Sequence, residues 1–221
     1  MRRIQPIELP DVPPNGGKVT AVQVQKKDPD RCSVFLNGSF AFGLHMNIVA
    51  EAGLRKGMQL DEAACRKLVE EDVYFKAYKR CLDYLAYRPR TGSEIRIRLR
   101  DLAIPEDIAG RIYARLADLG YLDDERFARQ FAASRLRSKG FGPRRLEAEL
   151  RRKGIDASTA RAAIEEVCSP DDVESQLKEQ LEKAQKKYRK EADGPTKTRK
   201  IVAFLARRGF SPGAIREALD R

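Results

Sequence analysis

The chain has 221 residues, of which 44 are Lys or Arg and 33 are Asp or Glu, so its formal net charge is +11 at pH 7. Its 42% hydrophobic and 35% charged content is ordinary for folded helical proteins and excludes a largely disordered chain. No apolar run approaches the roughly 18 residues of a membrane span, and the first residues lack the apolar stretch of a secretory signal. We therefore expect a protein without membrane association.

The cysteines and the single histidine exclude the common metal and disulfide frameworks. The four cysteines lie far apart with no Cys-x-x-Cys pair, and His45 is the only histidine. Neither a zinc site nor a disulfide network is indicated by such spacing. We expect no cofactor, no metal and a reducing cytoplasm as the location.

The first 72 residues predict a flexible leader and a small β-rich module. Residues 1–17 contain four prolines and end in Asn15-Gly16-Gly17, a composition typical of a flexible leader. From residue 18 the chain alternates apolar and polar residues, and Asn37-Gly38 separates two apolar runs as the turn of a β-hairpin. The module over 18–72 ends in a helix with Asp61 as its predicted N-cap.

A block of apolar residues then occurs three times at a spacing of roughly 50 residues, which indicates one helical unit used three times. In each block two apolar residues four apart precede a small residue and a further apolar residue. We predict a mainly α fold of three tandem three-helix repeats in an elongated array, similar to helix-turn-helix domains, at 73–122, 123–168 and 169–221. Since such an array can bury its own core, we expect a monomer. The blocks are Ile95, Leu99, Ala103-Ile104; Leu146, Leu150, Gly154-Ile155; and Ile201, Leu205, Gly209-Phe210.

Local signals mark where the helices of these repeats begin and end. Thr91 and Glu94 have the spacing of a capping box, and two Ser-Pro pairs, at 169 and 211, place a cap before a proline. Glycines stand where helices are expected to stop. The predicted stops are Gly120, Gly154 and Gly209.

The positive charge belongs to the repeats. Residues 1–74 carry 10 Lys or Arg and 10 Asp or Glu, whereas residues 75–221 carry 34 and 23. A basic helical array suits a polyanion, because phosphate contacts release counterions and steer association. The basic residues flank the apolar positions of each block, which places them on the outer faces of those helices. The predicted binding residues are Arg96, Arg98, Arg100, Arg144, Arg145, Arg151, Arg152, Lys153, Lys197, Arg199, Lys200, Arg207 and Arg208.

Catalytic signals are weak. His45 follows a predicted strand and is interpreted as a surface or half-buried side chain. Asp123 and Asp124 form an adjacent carboxylate pair, a feature of some hard-metal sites, but they also fit the N-cap and first turn of a helix. Tyr121, Phe127 and Phe131 are predicted to fill the core between the first two repeats. We predict that the chain is not an enzyme.

The segment Gly120 to Ala128 reads Gly-Tyr-Leu-Asp-Asp-Glu-Arg-Phe-Ala and resembles the RecX family of bacterial regulatory proteins. Two other stretches are similar to the entries of that family's first and second repeats: residues 82–95 and 139–155. The third repeat departs most, because it is lysine-rich and lacks a Gly-x-Gly entry. The family motif residues, to which we assign a mainly structural role, are Gly120, Tyr121, Leu122, Asp123, Asp124, Arg126 and Phe127.

The resemblance implies a modulator of the RecA recombinase that binds RecA filaments on DNA and lowers their ATP hydrolysis, strand exchange and SOS co-protease activity. It places the protein in homologous recombination and DNA repair. Alone, such a protein would bind single-stranded and double-stranded DNA weakly and in a salt-dependent way.

Two alternatives remain open on the residues. One three-helix repeat could read a specific duplex sequence as a helix-turn-helix protein does. The carboxylate pair at 123–124 could instead serve a metal-dependent nucleic-acid enzyme.

Overall fold

The computed structural model describes residues 4–220, so that three residues of the predicted leader and the last residue of the predicted third repeat lie outside the described part. Four strands and ten helices occur between residues 4 and 220. The strands are β1 Gly17–Gln25, β2 Asp28–Leu36, β3 Ser39–His45 and β4 Gln59–Leu60. The helices are α1 Met46–Glu51, α2 Glu62–Tyr87, α3 Gly92–Asp101, α4 Glu106–Asp118, α5 Asp124–Lys139, α6 Pro143–Arg152, α7 Ala157–Val167, α8 Pro170–Lys187, α9 Pro195–Arg208 and α10 Pro212–Asp220.

The chain forms two compact parts. One contains the residues up to Arg88 together with Ile95–Leu119, and the other contains Pro89–Glu94 together with the residues from Gly120 onward. Helix α3 therefore contributes its first turn to the second part and the rest to the first. None of the helices in residues 4–220 is both long and apolar enough to cross a membrane.

The first part contains a four-stranded antiparallel sheet in the order β3-β2-β1-β4. Asn37 and Gly38 join β2 to β3 with φ angles of 52° and 88°, the positive values that a two-residue hairpin turn requires. One face of the sheet packs on α1 and α2 through fully buried side chains such as Val34 and Leu44. The predicted β module is confirmed, although the short strand β4 was not predicted.

A buried carboxylate joins this sheet to α2. Asp72 is 2% exposed and accepts hydrogen bonds from the Arg31 guanidinium at 3.0 and 3.1 Å and from the His45 backbone N–H at 2.7 Å. The Lys76 ammonium is 2.7 Å away. Burial raises the pKa of the Asp72 carboxyl. The hydrogen bonds from Arg31 and Lys76 lower this pKa by more than burial raises it, so the pKa lies below its usual value.

The contacts of Asp72 predict that the stability of the protein falls at low pH. Since the folded-state pKa of Asp72 is depressed, its contribution to stability is present above the unfolded pKa near about 4 and is lost as pH falls through the folded value. We expect Asp72→Ala to lower the free energy of unfolding by about 3 kcal/mol at pH 7, because it leaves Arg31 without its carboxylate.

Denaturant unfolding of wild type and variant across pH 2 to 7 measures this difference, which should shrink toward the acid end. Asp83→Ala, an exposed carboxylate on the same helix, is the matched control and should change stability little. A pH-independent difference for Asp72→Ala would contradict the ion-pair account.

Part of the segment predicted as a leader is packed in the structure. Ile7 is 6% exposed, and its backbone N–H donates to the carbonyl of Leu102 at 2.9 Å, at the end of α3. The Arg80 guanidinium donates to the carbonyl of Gln5 at 2.6 Å. The proline-rich composition carried no signal for these contacts, because both partners lie far along the chain.

The three predicted repeats are present as α2–α3–α4, α5–α6–α7 and α8–α9–α10. The predicted caps form: Asp61 caps α2, Ser169 caps α8, and Thr91 and Glu94 exchange the two hydrogen bonds of a capping box at 3.1 and 3.2 Å. The first helices of the first and third repeats are long. Helix α2 has 26 residues because it also covers the sheet, and α8 has 18.

Each middle helix ends in the same left-handed turn. The φ angles are 56° at Ala103, 79° at Gly154 and 94° at Gly209. In every case the next residue is buried, and its N–H donates to the carbonyl of the block's second apolar residue. This hydrogen bond returns the chain onto the core and explains why a small residue and an apolar residue recur together.

In the second part, two of these turns rest against the start of the preceding middle helix. The carbonyls of Arg208 and Gly209 accept the N–H groups of Gly142 and Arg144 at 2.8 and 3.1 Å. At the equivalent place the Thr91 hydroxyl donates to the carbonyl of Lys153 at 2.7 Å. Carbonyls at a helix C-terminus thus pair with donors at a helix N-terminus, and their partial charges are complementary.

The contact has no room for a side chain. A Cβ added at Gly209 would stand 2.3 Å from the backbone nitrogen of Arg145, whereas one added at Gly120, with φ 72°, would meet nothing within 4 Å. We expect Gly120→Ala to cost about 1 kcal/mol from backbone strain and Gly209→Ala about 3 kcal/mol from strain plus overlap. Denaturant unfolding of the two variants separates the cost of backbone strain from the cost of steric overlap. Equal losses of unfolding free energy in the two variants would contradict the packing argument.

Candidate functional site

The basic charge is concentrated on the middle helices. Helix α6 carries four arginines and two glutamates, and α9 carries five basic residues and no acidic one. The third helices differ: α4, α7 and α10 each contain one more acidic residue than basic residues. Each middle helix is therefore a candidate binding surface.

Periodicity places these cations outside the core. In α6, Leu146 and Leu150 are 0% exposed, and the arginines lie on the remaining circumference, where Arg144, Arg151 and Arg152 are exposed. In α3, Arg96 and Arg100 are exposed on either side of the buried Leu99.

Aromatic rings hold two of the predicted arginines in the first part. The guanidinium of Arg96 lies 4.0 Å from the ring centre of Tyr113, and that of Arg98 lies 5.1 Å from Tyr84. Arg98 is half-buried, and its Nε has no hydrogen-bond partner among residues 4–220. Burial raises the pKa of the neighbouring Cys81 thiol to about 11, although the Arg98 charge opposes this.

Two further arginines bind backbone where repeats two and three meet. Arg145 lies 3.9 Å over the ring of the buried Phe141 and donates to the carbonyl of Arg207 at 2.9 Å. Arg208 lies 5.9 Å from the same ring and donates to the carbonyl of Lys139 at 2.6 Å. These side chains join α5, α6 and α9, so their role in this structure is to hold the repeats together.

Lys153 has a similar role at the start of α3. Its ammonium is 3.7 Å from the Glu94 carboxylate and 5.6 Å from the rings of Phe127 and Phe131. Its carbonyl is the acceptor for Thr91 described above. Lys153 therefore stabilises the packing between these elements.

Three more of the predicted cations are paired with carboxylates. Lys197 contacts Asp193 at 2.7 Å and Lys200 contacts Glu191 at 2.7 Å. The guanidinium of Arg152 is 3.8 Å from Glu149, yet its side chain is 73% exposed. Each of these pairs has at least one exposed partner, and ion pairs of this kind contribute little to stability.

The remaining predicted cations are exposed, and their side chains make no ion pair or hydrogen bond that the structure shows within residues 4–220. We call them the free arginines. They come from all three middle helices: Arg100, Arg144, Arg151, Arg199 and Arg207.

The family motif is structural where its contacts are seen. The Asp123 carboxylate caps α5 through the N–H of Arg126 at 2.7 Å, and Asp124 accepts the N–H of Gly92 at 2.8 Å. Both carboxylates thus serve backbone N–H groups at helix starts. Phe127 is half-buried against the core of the second repeat. Leu122 is also half-buried, and Arg126 is exposed.

One of the three aromatic residues predicted to lie in the core is exposed. Tyr121 is 51% exposed, whereas Phe131 packs with Phe127 against the second repeat's core. Tyr121 follows the left-handed Gly120, and the chain there runs outside the core before α5 begins.

Groups that carry chemistry are engaged elsewhere or buried. His45 is half-buried against Phe75, with ring centres 4.2 Å apart, and its Nδ1 accepts the N–H of Asn47. The four cysteines are all buried, and burial raises the pKa of Cys65 and Cys168. Among residues 4–220, no group of three or more His, Cys, Asp or Glu side chains is placed to hold a metal.

Sequence reasoning missed the rings that position the arginines. Tyr84, Tyr113 and Phe141 received no role, although each carries a guanidinium on its face. A signal existed only for Phe141, which stands between Gly140 and Gly142. The tyrosines lie on other helices, and their pairing depends on tertiary packing.

Comparison with protein families accounts for most of the chain. Residues 17–61 match the model described as "Regulatory protein RecX N-terminal domain". Residues 77–123, 123–164 and 172–219 match those of the first, second and third RecX three-helix domains. This chain belongs to the RecX family. The family that the motif at 120–128 indicated is therefore confirmed.

Individual RecX proteins agree with this assignment. The regulatory protein RecX of Bacillus licheniformis is 33% identical over 202 residues, which are 91% of this chain and 76% of that protein. RecX of Bacillus subtilis is 32% identical over 205 residues, covering 92% and 76%. These relatives are named as regulatory proteins.

Solved RecX structures share the fold. A crystal structure of regulatory protein RecX aligns with a TM-score of 0.75 at 27% identity, covering 92% of this chain and 99% of that one. RecX from Lactobacillus salivarius aligns with a TM-score of 0.62 at 28% identity, covering 68% and 96%. The predicted fold of three-helix repeats after a small sheet is confirmed.

Proposed function

We propose that this chain binds the RecA recombinase filament on DNA and inhibits its ATP hydrolysis, strand exchange and SOS co-protease activity. The resemblance of its motifs to the RecX family supplies the partner. The proposal places the protein in the cytoplasm, as a regulator of recombination and DNA repair rather than an enzyme.

The observation that carries the proposal is the recurrence of free arginines on all three middle helices. An arginine guanidinium presents a planar fork of donors that suits phosphate and carboxylate oxygens, so one such surface can contact both DNA and acidic protein groups. Five such residues are uncompensated by ion pairs within residues 4–220. Charged, exposed and spread over three repeats, they favour a long polyanionic partner over a small ligand.

The charge distribution argues against a sequence-specific helix-turn-helix reader. In that motif the second helix enters the major groove, and in these repeats the corresponding helices are α4, α7 and α10. Each carries an excess of acidic residues, which phosphates repel. The carboxylate pair at 123–124 likewise caps helix starts, which leaves the metal-dependent enzyme without a supporting observation.

Filament regulation predicts inhibition of RecA that does not require coating of the DNA. We expect this protein to lower ATP hydrolysis by the cognate RecA on single-stranded DNA. The effect should occur at protein concentrations well below those that saturate the same DNA in the absence of RecA. The binding free energy would come from both protein and DNA, so the filament should be the tighter target. A titration of ATPase rate beside a DNA-only anisotropy titration measures both.

Salt provides the control for this experiment. With five phosphates contacted on a single strand, affinity for bare DNA should fall about 100-fold between 50 and 200 mM salt. Inhibition that tracks saturation of bare DNA, or no inhibition at all, would contradict filament regulation.

Charge reversal on α6 tests the surface directly. We expect Arg151→Glu with Arg152→Glu to weaken filament binding by about tenfold or more, because two exposed cations become anions beside the polyanion. Helicity by circular dichroism should not change, since neither side chain is buried.

The matched control reverses the same charge on third helices. Arg161→Glu with Arg216→Glu changes two exposed arginines of α7 and α10 and should leave filament affinity nearly unchanged. Equal weakening by the two double variants would mean that net charge, rather than the middle-helix surface, controls binding.

A further inference from the structure

A deep apolar groove runs between α8 and α10 of the third repeat. Its volume is about 730 Å³. The floor consists of side chains on one face of each helix, with Val173, Leu177 and Leu181 four residues apart on α8 and Ala214 and Ala218 four apart on α10. The lined stretch of α8, from residue 170 to residue 185, is about 22 Å long, or four helical turns.

The corresponding helices of the second repeat close on each other. There the facing residues are small, and Ala128 and Ala132 on α5 and Ala160 and Ala163 on α7 are 0 to 4% exposed. In the third repeat Ala214 and Ala218 of α10 are only half-buried, and so are Val173 and Leu181 of α8, whereas Leu177 is buried. The groove is thus a site where the repeat's usual helix contact is left incomplete.

The rim of the groove has the opposite charge from the chain. Glu174, Glu182 and Glu217 line it with one lysine, Lys178, whereas residues 75–221 as a whole are strongly basic. An acidic rim repels the phosphates of nucleic acid, so it does not extend the arginine surface. It attracts a partner that carries lysine or arginine beside apolar residues.

The shape selects the form of that partner. Both walls are helices, and an amphipathic helix packs its apolar ridge into a groove between two helices. The length of four turns and the small residues of α10 allow close approach of one such helix. We propose that the α8–α10 groove binds an amphipathic helix of a partner protein whose apolar face is flanked by lysine or arginine side chains.

The test uses the full chain and two labelled 18-residue peptides. One is built from leucine, alanine and lysine, with leucines on one face and lysines on both flanks; the other has glutamate in place of lysine. Because the chain carries +11, long-range attraction favours the acidic peptide. We expect the basic peptide to bind at least about tenfold more tightly in fluorescence anisotropy, a preference that requires a local acidic site.

Two groove variants locate the binding. Ala218→Trp fills the floor, and Glu182→Lys with Glu217→Lys reverses the rim; each should weaken the basic peptide by about tenfold or more. Glu8→Lys with Glu165→Lys applies the same charge change at exposed positions outside the groove and should alter affinity little. Circular dichroism checks that all variants fold.

A footprint gives an independent readout. Cys168 lines the groove, and the other three cysteines lie outside it. The bound basic peptide should slow alkylation of Cys168 and leave the other thiols unaffected, as measured by mass spectrometry.

Three outcomes would overturn the proposal. They are a preference for the acidic peptide, unchanged affinity in both groove variants, and a self-associated dimer that Ala218→Trp dissociates in sedimentation, which would assign the groove to a second copy of the chain. The groove contains none of the free arginines. If the peptide experiment failed, the recombinase proposal would therefore still stand. If the protein did not inhibit RecA, the peptide result would be unaffected.

Discussion

Within the second compact part, helix packing depends on one kind of contact, in which the left-handed turn that ends a middle helix rests against the first turn of the preceding middle helix. Carbonyls at 153 and 208–209 meet donors at 91 and at 142 and 144, so each junction satisfies groups that a helix end otherwise leaves unpaired. The contact requires a residue that tolerates positive φ and has no Cβ, which explains the glycines at 154 and 209. Ala103 occupies the same turn of the first repeat, where it is exposed and the neighbouring Leu102 carbonyl accepts from Ile7.

This contact divides the basic residues into two populations. Arg145, Lys153 and Arg208 stand beside the junctions, where they lie over aromatic rings or bind backbone carbonyls. These side chains make their contacts within the protein, so replacing them is expected to change its stability. The side chains of the free arginines make none of these contacts, although the backbone groups of Arg144 and Arg207 take part in the junction with α9. Their substitution is expected to leave stability nearly unchanged, and their occurrence on all three middle helices supports the proposed filament binding.

The third repeat differs from the second in what its helices leave open. Four alanines let α5 and α7 approach until all four are buried, whereas α8 keeps larger apolar residues opposite α10 and leaves a groove. The groove carries an acidic rim on a basic chain. The third repeat therefore offers two surfaces of opposite charge: cations on its middle helix and carboxylates between the other two helices. A regulator with both could contact a polyanion and a basic helix at once.

The sequence by itself determined the elements that local interactions specify. Caps at 61, 91, 123 and 169, turns at 37–38 and 120, and the repeated block all depend on residues within about four positions of each other, and their signals are therefore readable from spacing. Only the tertiary structure decided which arginines are free, because Arg145 and Arg208 find their carbonyl partners 62 and 69 residues away. The packing of Ile7, the strand β4, the exposure of Tyr121 and the open groove were decided in the same way. Each depends on surfaces brought together from distant parts of the chain, for which neither periodicity nor composition carries a signal.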